Sequence, residues 1–71
     1  MAYIDPQENI YGYIKELSHE KLLQLIEKCN EDIEDYENAP TSEIKNDYAK
    51  DRDYAVHALE YIDRHGLRPK Q

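Results

Sequence analysis

The chain has 71 residues, a formal net charge of −7, seven tyrosines, no Phe or Trp and a single cysteine. A chain this short forms one small domain with a thin core, and its acidity disfavours nonspecific attachment to nucleic acid or anionic membrane, whose phosphates would repel it. Cys29 has no partner for an internal disulfide, and residues 1–17 carry neither a basic start nor an apolar run, so a cytoplasmic, reducing location is expected with no direct membrane contact.

The first element is announced by Asp5-Pro6-Gln7-Glu8. Asp suits an N-cap, Pro suits the first helical position, and Glu falls three residues after the cap. A short helix over about 6–16 is predicted, with Ile10, Ile14 and Leu17 on one face and Tyr13 beside them. Gly12 weakens it. Tyr3, Tyr11 and Tyr13 are expected to pack at the edge of the core.

Ser18 is the cap of a second helix over about 19–37, and Leu17 with Leu22 makes a hydrophobic staple. Leu22, Ile26, Cys29, Ile33 and Tyr36 recur at spacings of 4, 3, 4 and 3, a heptad-like seam. Leu23 and Leu25 flank that seam on opposite sides. Asn38-Ala-Pro-Thr forms a turn over 38–41, and a third helix is predicted over about 42–65. Its inward row is Ile44, Tyr48, Asp51, Ala55, Ala58 and Ile62, with Leu59 beside it. Gly66 fits a left-handed C-cap, which would let Leu67 reach Ile62. A basic tail, 66–71, closes the chain.

Connections as short as 38–41 join antiparallel neighbours. Folding there sets Tyr36 against Ile44, Cys29 against Asp51 and Leu22 against Ala58. The expected fold class is therefore all-α. A short N-terminal helix precedes a long antiparallel helical hairpin, and this three-helix mini-bundle could be completed by dimerisation.

The acidic run carries the main functional signal. Glu27, Glu31, Asp32, Glu34, Asp35 and Glu37 face one cation, Lys28, within residues 27–37. Most of them crowd the C-terminal end of a helix, where the macrodipole disfavours negative charge. Pairs such as Glu27–Glu31, Glu31–Glu34 and Glu31–Asp35 also repel. Glu43 and Asp47 open the next helix at the same end. A solvated face that keeps a small protein soluble is the plain reading. The sharper one is a docking surface for a basic partner, made of Glu31, Asp32, Glu34, Asp35, Glu37, Glu43 and Asp47, with Tyr36 and Tyr48 as anchors. Charge is also segregated along the chain. Residues 1–63 sum to −10 and residues 64–71 to +3.

Other chemistry is poorly supported. No Asp-x-Asp-x-Asp-Gly loop is present, so an EF-hand is excluded. Asp53, His57 and Glu60 could share a helix face, but no matching Glu-x-x-His occurs elsewhere, as a di-metal bundle requires. Cys29 on the apolar seam reads as a small hydrophobe. No catalytic residue, metal or cofactor is expected. Asp51 falls on the seam, where an unpaired carboxylate is costly. It is expected at a wet edge beside Lys28 or Arg52, or else as a polar register-setter in an assembly. Leu23, Leu25, Tyr54 and Tyr61 form a second candidate surface, apolar and aromatic.

These features lead to an expected non-enzymatic protein that binds and inhibits a macromolecule with a basic surface. A nucleic-acid-binding enzyme fits, with the carboxylates imitating phosphates, as in small inhibitors from phages or mobile elements. The alternative is an antitoxin, immunity protein or homodimeric bundle that binds through apolar helix faces.

Overall fold

A computed structural model describes residues 6–69. The Asp5 cap, Tyr3 and the end of the basic tail lie outside the described residues. The order is α1 (Pro6–Tyr11), a 3₁₀ segment (Gly12–Glu16), α2 (His19–Glu37) and α3 (Ser42–Arg64). α2 and α3 form the antiparallel hairpin, and α1 packs on α3. The all-α hairpin architecture is thus as expected.

Local chemistry sets the element ends. The Ser18 hydroxyl accepts from the Lys21 amide at 3.3 Å, and Thr41 accepts from the Ile44 amide at 3.2 Å. Both caps sit in extended backbone, as an N-cap requires. α3 ends in a full Schellman arrangement. The Leu67 amide donates to the Ile62 carbonyl at 2.9 Å, and the Gly66 amide donates to Asp63 at 3.3 Å. Gly66 has φ +64°, a conformation that costs a side-chain-bearing residue. A Cβ there would meet open space, so any penalty is conformational and not steric. Gly66→Ala is therefore expected to lower stability by about 1 kcal/mol, measurable as a shift of the urea midpoint with an unchanged slope.

The first helix differs from its predicted form. It is α-helical only to Tyr11 and then tightens into the 3₁₀ segment at Gly12. A 3₁₀ turn repeats every three residues, so the inward stripe becomes Tyr11, Ile14 and Leu17. Tyr11 and Ile14 are buried and Leu17 packs against the core. Ile10, expected on the inward face, and Tyr13, expected beside it, are instead 57% and 44% exposed.

The core lies at the open end of the hairpin, where α1 covers it. It comprises Tyr11, Ile14, Leu22, Ile26, Cys29, Ala55, Ala58, Tyr61 and Ile62. Ala55 and Ala58 are fully buried, and their small side chains leave room for apolar neighbours to interdigitate. Towards the turn the seam thins, and Ile33, Tyr36 and Ile44 are only half-buried.

The inward row of α3 is also corrected. Tyr48 is 38% exposed and Asp51 is exposed, while Ala49 and Arg52 are half-buried in their place. Asp51 therefore sits at a wet edge, the first of its two expected places. The expected bases do not serve it: Lys28 pairs with Asp32 at 3.9 Å and Arg52 with Asp53 at 3.4 Å.

Candidate interface at the acidic tip

The turn at 38–41 brings the last turns of α2 beside the first turns of α3. Glu31, Glu34, Asp35 and Glu37 are exposed there, as are Glu43 and Asp47. Asp32 is half-buried and bonded to Lys28 across one helical turn. With its cation exposed and on the N-terminal side, this pair stabilises little. The Asn38 amide caps Glu34 at 2.9 Å, so the backbone at the end of α2 is partly satisfied. Its carboxylates still stand where the dipole opposes them, and no basic residue lies in the last turn.

The structure adds two cations that the sequence reading did not place here. The Lys45 ammonium lies 5.5 Å and the Arg52 guanidinium 4.6 Å from the centre of the Tyr36 ring. Both are cation–π contacts. The Arg52 stem covers the thin seam while its head stays partly wet. Tyr36 is therefore held by its own chain and offers only part of its ring as an anchor. Tyr48 is the more open of the two predicted anchors. The arrangement explains how a polar residue can occupy α3's inward row: the stack substitutes for apolar packing where the core runs out. Lys45 could have been anticipated, since it follows Ile44, the residue expected opposite Tyr36. Arg52 could not, because its reach depends on the rotation of α3.

The second candidate surface divides. Leu23 is 39% and Tyr54 36% exposed, but Tyr61 is fully buried. Leu25 packs against the core. Tyr61 is thus an interior residue and not part of a free surface, while Leu25 is only half-buried against the core. Tyr54 packs on Tyr11 in a tilted arrangement with ring centres 5.1 Å apart, and its hydroxyl meets that of Tyr13. Burial first, and then the Tyr13 contact, push the Tyr54 phenol well above its ordinary range. It stays a neutral hydroxyl at any physiological pH.

Cys29 is 2% exposed, and burial raises its thiol pKa. A thiol is not a useful nucleophile in that state. Among the described residues, no three His, Cys, Asp or Glu side chains converge as a ligand set, and no helix is long and apolar enough to cross a membrane. Comparison with protein families, characterised proteins and solved structures finds no match to this chain.

Proposed function

We propose that this chain is a small non-enzymatic binding protein that blocks a basic surface on a macromolecular partner. The observation that carries this reading is the acidic tip: six exposed carboxylates and the paired Asp32 gathered at one end by the turn. Four of the exposed ones lie on the last turns of α2, where they oppose helix stability. Carboxylates spread along two helix ends can occupy a groove built for phosphates, so a nucleic-acid-binding enzyme in the cytoplasm is the preferred partner class. A phage or mobile element would be a natural source of such an inhibitor.

Binding of this kind is steered and held by charge, and salt weakens it. The partner can be captured from host lysate on the immobilised chain and its affinity then measured against salt. Affinity is expected to fall by about tenfold or more as salt rises from about 0.05 M to about 0.5 M. An affinity that ignores salt removes the acidic tip from the interaction.

A second reading is favoured by the apolar exposure of Ile10, Tyr13, Leu23 and Tyr54. There the affinity would come from a helix face, in an immunity protein, an antitoxin or a homodimer, and the acids would only solubilise. Leu23→Lys would then dissociate the complex, and salt would matter little.

A further inference from the structure

The N-terminal arm, residues 6–16, places its ring and polar contacts on one stripe of α3. The Tyr11 ring lies 5.1 Å from Tyr54 and 6.2 Å from Tyr61, centre to centre. The Tyr13 hydroxyl meets that of Tyr54. Glu8 accepts from the Tyr61 hydroxyl at 3.3 Å and sits 2.6 Å from His65 Nε2. The Lys15 ammonium is 5.8 Å from the centre of the Tyr61 ring. Tyr54, Tyr61 and His65 follow one another at spacings of 7 and 4, which keeps them on one face of α3. The arm thus covers an aromatic stripe, and that stripe holds both tyrosines of the second candidate surface.

We propose that the arm is a displaceable strap, which opens as a unit while α2 and α3 stay paired and so covers or bares the Tyr54–Tyr61 stripe. The arm has little stability of its own. α1 has six residues and its 3₁₀ continuation five, below the length at which a helix persists alone, so it keeps its form only while docked. Its docking is incomplete. Ile14 is buried, but Ile10 and Tyr13 stay exposed, because the 3₁₀ segment buries a three-residue stripe in place of the α-helical one. The joint to the hairpin is free to turn. Leu17 and Ser18 are extended, and α2 starts from its own groups. The Ser18 hydroxyl accepts from the Lys21 amide, and its carbonyl accepts from the Leu22 amide at 2.8 Å. A rotation about Leu17 therefore breaks no hydrogen bond of α2. When the arm leaves, Leu22, Ile26, Ala55, Ala58 and Ile62 remain as the seam between α2 and α3.

Elements of low local stability are the ones that move when a protein binds. With the strap down, Tyr61 is fully buried and Tyr54 only partly open, so the stripe is closed to a partner. With the strap up, the stripe from Tyr54 to His65 runs about 16 Å along α3. Its occupant in the closed state shows which chemistry fits: a helical segment that turns an aromatic and an aliphatic group inward. The competitor is therefore an amphipathic helix of the partner, laid on the stripe in place of the arm. This role rests on the second reading above, in which a helix face carries the affinity; the opening itself rests on the arm alone. Cys29 is a built-in reporter. Its thiol is buried on α2 within the core that the arm closes, in electrostatic range of both Tyr11 and Tyr54.

The test compares two probes in the full chain, in buffer and in urea below the unfolding transition. One is labelling of the Cys29 thiol by an aromatic disulfide reagent, and the other is amide hydrogen exchange; each is read as the fraction of time the group is open. The thiol is expected to open about tenfold or more often than the amides in the middle of α2. Its dependence on urea should be weaker, because less surface is exposed. The amides of residues 11–16 should open at least as often as the thiol. Tyr11→Ala should widen the gap between thiol and α2 amides. If the thiol opens only as often as the α2 amides, with the same urea slope, the strap is overturned, whether the arm amides follow them or merely fray. The natural sequence decides this without the variant, and a Tyr11→Ala protein that raises both openings equally also counts against the strap. Such a result leaves the Leu23→Lys test of the second reading untouched, and failure of that test removes the partner but not the opening.

Discussion

Replacing Tyr61 by alanine is expected to unfold a large fraction of the protein at room temperature. Tyr61 is fully buried and is the largest such side chain among the described residues. Its ring faces Tyr11 at 6.2 Å and His65 at 4.2 Å. Truncating a buried aromatic to alanine costs about 3–5 kcal/mol. A single core in a domain of this size rarely supplies more than about 3–5 kcal/mol in total, so the loss rivals the whole stability. Tyr61→Phe separates packing from polarity. It keeps the ring and removes only the hydroxyl that bonds Glu8, and should cost about 0.5–1.5 kcal/mol. Urea denaturation followed by circular dichroism measures both. A Tyr61→Ala protein with an unchanged midpoint would mean that the hairpin holds together without the α1–α3 core.

Reversing the acidic tip should have the opposite profile, with binding lost and fold retained. Changing Glu31, Asp32, Glu34 and Asp35 to lysine adds two charges at each position and takes the net charge from −7 to +1. If the tip docks on a basic surface, attraction becomes repulsion, and affinity should drop by about a hundredfold or more. The helix loses only the 3.9 Å Lys28–Asp32 pair. It gains cations at the end where its dipole favours them, by about 0.3–1 kcal/mol each at most. The melting temperature should therefore hold or rise. A variant that keeps its helicity and still binds with full affinity would refute the charge-based reading. Leu23→Lys in parallel reports on the apolar face. Loss of stability in the tip variant would point instead to the Tyr36 stack, since new lysines beside Lys45 and Arg52 could drive those cations off the ring.

The two variants probe different ends of the same hairpin, and that division reflects how the chain distributes its residues. Apolar groups capable of a core are concentrated where α1 can cover them. Near the turn only two helices meet, and a Tyr–Arg–Lys stack takes over from aliphatic packing. A tip of that composition tolerates heavy substitution at its exposed positions. The buried end tolerates very little.

Much of this was written in the sequence. Ser18, Thr41 and Gly66 mark element ends because capping is local: each side chain or φ angle serves amides a few residues away. The 38–41 turn and the heptad-like seam of α2 fixed an antiparallel hairpin, and the acidic run fixed which end carries the charge. Helix rotation was a different matter. The seam predicted for α3 held Tyr48 and Asp51, yet the fold turns Ala49 and Arg52 inward. A sequence period defines a stripe about as wide as a residue, and long-range packing chooses its centre. In the arm, α periodicity selected Ile10, Ile14 and Leu17 with Tyr13 beside them, whereas the fold keeps Ile14 and Leu17 and puts Tyr11 in place of Ile10, at a three-residue spacing. The Glu8–His65 bond joins residues 57 positions apart, so no local pattern could announce it. Tertiary structure alone decides such contacts, because they depend on where three separate helices end up in space and not on any residue's neighbours in the chain.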